Sequence, residues 1–228
     1  MNDLAQNLIE ELQCETVFTI PVLGVIPVSE AVVVTWIIMA VLVVIAFILT
    51  RNLKVDHISK RQAVAESIVT GLLNMVQGMV GEKGKAYVPY LTTVMLYIGV
   101  SNIIGLFGFK SPTKDLRVTV ALALMSIILI EAAGIYHKGV KRWLHGFVEP
   151  VAIVTPINIL EVVTKPLSLC MRLFGNVLGA FVIMELLKMI LPVGLPVVFS
   201  LYFDIFDGLL QAYVFVFLTS LYIDEITE

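Results

Sequence analysis

One arginine stands where an arginine is hardest to keep. The stretch Lys165-Pro-Leu-Ser-Leu-Cys-Met-Arg172-Leu-Phe-Gly-Asn176 lies in the most apolar half of the chain, and no charge follows Arg172 until Glu185. An arginine in a membrane segment costs several kcal/mol or more and by default marks a functional site. Guanidinium keeps its proton in proteins, so Arg172 is a fixed positive charge and not a proton carrier. Such a charge in an apolar slab attracts carboxylates and discharges them. At about 100° per residue, Glu161, Lys165, Ser168, Arg172 and Asn176 fall within about 40° of one line on a helix, with Gly179 on the same face and Gly175 at its border. Only Glu161 on this stripe has the sign to neutralise Arg172, about three turns away. Ser168 and Asn176 read equally well as a polar seam satisfied by a neighbouring helix of the same chain. A second stripe, Asp204, Asp207 and Gln211, follows i, i+3 and i+7 spacing with Gly208 beside it. Two aspartates there must be wet, protonated or paired, or else sit at the aqueous boundary and serve topology. His57, His137 and His145 lack metal-ligand spacing, Cys14 and Cys170 read as plain thiols, and no metal site is expected.

The elements that carry these residues are apolar. The chain has 228 residues, of which 59% are hydrophobic and 14% charged, a net charge of -3 and a mean hydropathy of +0.97. Soluble domains are about 25% charged. This is the composition of an integral membrane protein, and nothing in it points to nucleic acid. Residues 1–28 read as an acidic, extracytoplasmic N-terminal tail with Pro21, Gly24 and Pro27 as turn formers. Residues 29–50 read as the first transmembrane helix, with no charge over 31–50. Arg51, Lys54, Lys60 and Arg61 follow, a basic run that the positive-inside rule puts in the cytoplasm. Residues 62–82 mix Glu66, Asn74, Gln77 and Glu82 with apolar residues at helical spacing, which suits a membrane-surface helix and leaves a sixth span open. Residues 86–137 form a helical hairpin that holds Asn102 and Glu131, and Lys138, Lys141 and Arg142 return the chain to the basic side. Residues 148–226 form a long hairpin joined by Leu-Pro-Val-Gly-Leu-Pro, with Pro150, Pro156 and Pro166 predicting kinks or a late start. The fold class is all-α, with five to six helices, the last two too long for a perpendicular span and so strongly tilted or nearly in the membrane plane. The C-terminus falls in the cytoplasm.

Lys-Pro-Leu-Ser followed by Arg-Leu-Phe-Gly-Asn closely resembles the signature of subunit a of the rotary F-type ATP synthase. Leu-Leu-Gln-Ala-Tyr-Val-Phe-Val-Phe-Leu-Thr around Gln211 is similar to that family's last helix, and Pro112-Thr-Lys-Asp115 with Val-Thr-Val-Ala-Leu-Ala-Leu to the start of an earlier one. The resemblance covers roughly residues 86–228, and the first 85 only in topology. It implies a stator for ion flow in the cell membrane, with a ring of c subunits, the peripheral-stalk subunit b and the remaining synthase subunits as partners, and no cofactor. It implies two offset half-channels kept apart by Arg172, with Gln211 beside it, and Ser168 and Asn176 on the cytoplasmic half. Asn102 and Glu161 join them as ion-path candidates.

The pattern departs from the family at Phe181, where many members carry Glu nine residues after the arginine. The nearest acid is Glu185, which points the same way one turn further on. Glu185 and Asp204, with Asp207, are expected to line the outer half-channel. The other reading pairs Glu185 with Lys188. A stand-alone transporter or channel also fits the composition, but it predicts internal repeats, and none is found. Gly-x-Ser-x-Gly, His-Glu-x-x-His and the P-loop pattern are absent, so ATP chemistry would belong to partner subunits. The choice between proton and sodium rests with the ring carboxylate, which is not in this chain.

Overall fold

The computed structural model describes residues 16–21, 25–51, 53, 59–107, 109, 111–148, 152–190 and 199–227. Several residues named from the sequence lie outside that set: Asp3, Glu10, Glu11, Cys14, Glu15, Gly24, Lys54, His57, Pro150 and the 191–196 joint, along with the side chain of Lys188. Two short strands open the described chain, β1 (Thr16–Pro21) and β2 (Val25–Ser29). They pair antiparallel, Thr16 opposite Ser29 and Pro21 opposite Val25, with a bulge between Thr16 and Phe18. The β-branched runs of both segments suit this pairing, which the reading of a plain tail did not contain.

Seven α-helices follow among the described residues: α1 (Glu30–Thr50), α2 (Lys60–Gln77), α3 (Val88–Ile103), α4 (Leu116–Lys138), α5 (Val140–Gly146), α6 (Thr155–Ile190) and α7 (Gly208–Thr227). A π-helical turn, Leu201–Asp207, leads into α7. Five of these are long and apolar enough to cross a membrane, namely α1, α3, α4, α6, and α7 with its π turn; α2 is not among them. The protein is thus an all-α, multi-pass membrane protein with a small N-terminal hairpin.

The core is where α3, α4, α6 and α7 meet. Leu91, Val94 and Ile98 of α3, Ala123, Ile127 and Ile130 of α4, Leu169 and Leu173 of α6, and Phe215, Val216 and Ile223 of α7 are buried together. Spacings of three and four on α3, α4 and α6, and of seven between Val216 and Ile223 on α7, give each helix one inward edge. Small residues let the backbones close in: a Cβ on Gly134 of α4 would lie 2.8 Å from Ile226 Cγ1 of α7. α1 buries Ala31, Val34 and Ile38 against this bundle and sets Thr35 Oγ1 3.1 Å from Tyr97 Oη of α3, while Val41, Val43, Val44, Phe47 and Ile48 face outward as a lipid-facing helix should. The last turn of α7 is tied to the α2–α3 connection. Gly81 N donates to Asp224 Oδ2 at 3.1 Å, Lys83 Nζ to Thr227 O at 2.7 Å and Ser220 Oγ to Met79 O at 3.2 Å.

Helix α6 is the outlier in length. Its 36 residues amount to about 54 Å, against a hydrocarbon slab of about 30 Å, so it must cross obliquely. The sequence predicted kinks or a late start from its prolines. The helix starts at Thr155 and runs on through Pro166, which removes one backbone donor without ending it. Only Leu169, Cys170 and Leu173 near its middle are fully buried.

Gly139 makes the corner between α4 and α5. Its φ of 76° and ψ of 153° fall in a region that only glycine occupies readily, and nothing lies within 4 Å of a Cβ built there. Gly139→Ala should therefore act through backbone strain alone. We expect a loss of about 1–3 kcal/mol, seen as a lower midpoint in denaturant titration of the detergent-solubilised protein, with the helix content unchanged.

Candidate functional site

Helices α4 and α7 run in the same direction, so their N-termini mark one end of the bundle and their C-termini the other. Ser29 Oγ donates to Asp115 Oδ2 at 2.7 Å, which fixes the start of α1 at the first end. Asp115 also caps α4 by accepting from Arg117 N at 2.9 Å.

A buried polar network occupies this first end. Asn102, in the last turn of α3 and only 4% exposed, donates from Nδ2 to Gly208 O at 2.9 Å and accepts at Oδ1 from Thr113 Oγ1 at 2.7 Å. Thr113 Oγ1 lies 2.7 Å from Ser111 Oγ, which also bonds Ser101 O at 2.7 Å. Three contacts share two hydroxyl protons, so with Ser101 O and Asn102 Oδ1 each taking one, the Ser111–Thr113 contact is left without a donor. Ser101 Oγ, fully buried beside it, makes no hydrogen bond among the described residues. Gly208 is required here, because a Cβ on it would sit 2.7 Å from Asn102 Cβ.

The π turn brings the aspartates to the same end. A Cβ on Gly105 would lie 3.2 Å from Asp204 Oδ1, so the Asp204 carboxylate faces the end of α3. The i, i+3, i+7 spacing assumed α-helical winding through to Gln211. The π turn bonds i to i+5 and holds one extra residue per turn, so the three residues do not form a single α-helical face. Asp204 and Asp207 are half-buried, and Asp207 forms no hydrogen bond or ion pair among the described residues. Gln211, one turn into α7, is 4% exposed and also makes no hydrogen bond among them. Nearby on α6, Lys114 Nζ sits 3.9 Å above the Phe181 ring, in the range of a cation–π contact. Glu185 is half-buried one turn beyond Phe181.

The stripe on α6 is uncovered. Glu161, Ser168, Arg172, Gly175 and Asn176 are all exposed, and nothing lies within 4 Å of a Cβ built at Gly175 or Gly179. Arg172, Ser168 and Asn176 make no hydrogen bond or ion pair among the described residues. Among the described residues, no neighbouring helix of the same chain satisfies Ser168 or Asn176. The buried edge of α6 lies instead along Leu169, Cys170 and Leu173, about a quarter-turn away, where Cys170 Sγ meets Thr119 Oγ1 at 3.5 Å. No hydrogen bond joins Arg172 to Gln211.

The opposite end of the bundle holds a cleft of about 310 Å³ between α4, α5, α6 and α7. Three acids, Glu131, Glu161 and Glu225, and three bases, Lys138, Arg142 and Lys165, line it. Lys165 Nζ bridges the helices, 3.0 Å from Glu225 Oε1 of α7 and 3.7 Å from Glu161 Oε2 on its own helix. Trp143 Nε1 donates to Glu131 Oε2 at 2.9 Å. Glu131 and Glu225 were missed as site residues from the sequence. Glu131 had left a signal, as an acid that interrupts the otherwise uncharged run 118–136, while Glu225 left none.

Bundle and sites together define a polytopic membrane protein with polar clusters at both ends and an uncovered cation between them. Residues 32–224 match the family model described as ATP synthase A chain. The chain is 35% identical to ATP synthase subunit a of Moorella thermoacetica over 203 residues, 88% of this chain and 92% of the relative. It is 31% identical to ATP synthase subunit a 2 of Acaryochloris marina, over 88% of this chain and 86% of the relative. It is 34% identical to the sodium ion specific ATP synthase subunit a of Propionigenium modestum, over 86% and 73% respectively. The chain belongs to the ATP synthase subunit a family. It is an ion-translocating component of the synthase's membrane sector.

The buried network yields a stability test. Thr113→Val keeps the shape of the side chain but strands Asn102 Oδ1, and should lower stability by about 1–3 kcal/mol. Thermal unfolding of the solubilised protein measures it, and Thr113→Ser should recover most of the loss.

Proposed function

We propose that Arg172 is the fixed charge that separates two half-channels, and that its stripe faces a ring of c subunits, each with a membrane carboxylate. The exposure of Arg172 without any partner among the described residues carries this reading. A guanidinium at mid-helix in lipid needs an anion, and the described residues of this chain supply none beside it. The open space at Gly175 and Gly179 suits close approach of another helix.

The outer half-channel runs past Asn102, Asp204, Asp207 and Glu185 to Gln211. The inner one runs from the charged cleft at Glu161 along Ser168 and Asn176. A ring carboxylate is neutral while it faces lipid. It takes a proton from one half-channel, rides the ring round, and gives the proton up to the other. Arg172 stabilises the ionised carboxylate as it passes and closes the direct route between the two paths. Each proton crossing is worth about 2.3 kcal/mol per 100 mV, which biases rotation only while that route stays shut. ATP chemistry belongs to partner subunits, and subunit b supplies the stalk that keeps this chain from turning with the ring.

The orientation follows from charge. Arg51 ends α1, and Lys138, Lys141 and Arg142 follow α4, at the same end of the bundle. Excess Lys and Arg mark the cytoplasmic side, so the N-terminus lies outside and the C-terminus inside. A stand-alone transporter is not favoured, since it would have no use for an uncovered arginine stripe.

Arg172→Ala should abolish ion-driven ATP synthesis in vesicles holding the assembled synthase. ATP-driven pumping at the wild-type rate in that variant would end the proposal. For the orientation, Lys141→Cys, at an exposed position on the same end as the C-terminus, should resist a membrane-impermeant thiol reagent in intact cells and react once the membrane is opened; labelling from outside would reverse the topology.

A further inference from the structure

We infer that Glu131, held by Trp143, is the proton-exchanging carboxylate of the inner half-channel. This rests on the reading of the Arg172 stripe as the ion path and names the acid that serves it. Glu131 lies seven residues before the end of α4, about 10 Å inside the span. It is half-buried and lines the same cleft as Glu161 and Lys165, which begin the stripe on α6. The cleft therefore joins the helix ends to an acid at depth and to Lys165, where the stripe that leads to Arg172 begins.

The partners of the three acids single out Glu131. Glu161 and Glu225 share the ammonium of Lys165, and their side chains are 51% and 55% exposed, at the mouth. Glu131 is held by a neutral indole N–H on one oxygen only. Its Oε1 remains open to take or give a proton. The charged groups facing it are Lys138 of its own helix, Arg142 of α5, Glu161 and Lys165 of α6 and Glu225 of α7. Trp143 is a positioning residue. It stacks edge-on with Phe147 at 4.9 Å between ring centres, which fixes the indole and so the carboxylate.

The step balances as a proton exchange. A ring carboxylic acid beside Arg172 loses its proton to water in the cleft, and that water protonates the Glu131 carboxylate. The ring site is left as carboxylate and Glu131 as carboxylic acid. Glu131 then gives the proton to water at the mouth and returns to carboxylate. With ATP driving the ring the same steps run in reverse.

The test uses the whole synthase in vesicles with the cleft side outward and follows ATP-driven proton uptake, with the amount of assembled complex checked by immunoblot. Glu131→Gln keeps an acceptor for the indole N–H but cannot exchange a proton. Uptake should fall about tenfold, less than the full worth of a positioned acid–base group because water still carries some protons. The rate should also depend more steeply on the pH of the outer medium. Glu131→Asp should restore much of the rate and the wild-type profile. Trp143→Phe should shift the midpoint of that profile while leaving the plateau. A wild-type rate and profile in Glu131→Gln, or an equal loss at every pH that Asp does not relieve, would overturn the inference. If Arg172→Ala is inactive while Glu131→Gln is normal, the ion-path reading stands and only this assignment fails; if Arg172→Ala pumps normally, both fall.

Discussion

An uncompensated guanidinium in an apolar slab is the constraint on which the rest of this protein depends. The chain keeps Arg172 on the exposed side of α6 and turns the apolar edge at Leu169, Cys170 and Leu173 toward its own core. In a soluble protein such a residue would be wetted and unremarked. Here the Arg172 guanidinium has no anion beside it among the described residues, and the same helix is fully buried there at one patch alone.

The two ends of the bundle handle polar groups in opposite ways. At the start of α4 and α7, Asn102, Thr113 and Ser111 bond one another in a buried network beside Gly208, while Asp115 holds Ser29 and caps α4. Such a network fixes how α3, the 112–114 turn and α7 meet, and it is costly to leave half-made. At the other end the charges stay accessible around an open cleft and pair across helices through Lys165. The first end closes tightly around one glycine, and the second leaves its charges lining an open cleft.

Apolar runs made the membrane-spanning helices easy to read, because about 20 uncharged residues admit few other structures. The stripe around Arg172 was legible for the same reason: a helix fixes angular position, and the residues all lie on one helix. What was not legible depended on contacts between elements or on departures from α winding. The pairing of Thr16–Pro21 with Val25–Ser29 needs a partner strand that periodicity alone does not announce. The bridge from Lys165 to Glu225 spans sixty residues of sequence and depends on how α6 and α7 cross. The π turn defeated the spacing argument for Asp204, Asp207 and Gln211, since no residue in Leu-Tyr-Phe-Asp-Ile-Phe-Asp forces it. Phe181 was read as a missing acid. The structure adds that Lys114 lies over its ring, so the site is already occupied by a cation and its aromatic platform.

The π turn at Leu201–Asp207 also bears on how this protein can change over generations. Such a turn stores one surplus residue relative to an α-helix. Loss of a single codon there would let the segment rewind as α-helix while Gly208 stayed seated against Asn102. Everything before the deletion would rotate by about 100°, and Asp204 would leave the end of α3. The direction in which the acids point is therefore written in chain length as well as in residue type. A one-residue insertion or deletion would re-aim these acids with every polar side chain still present.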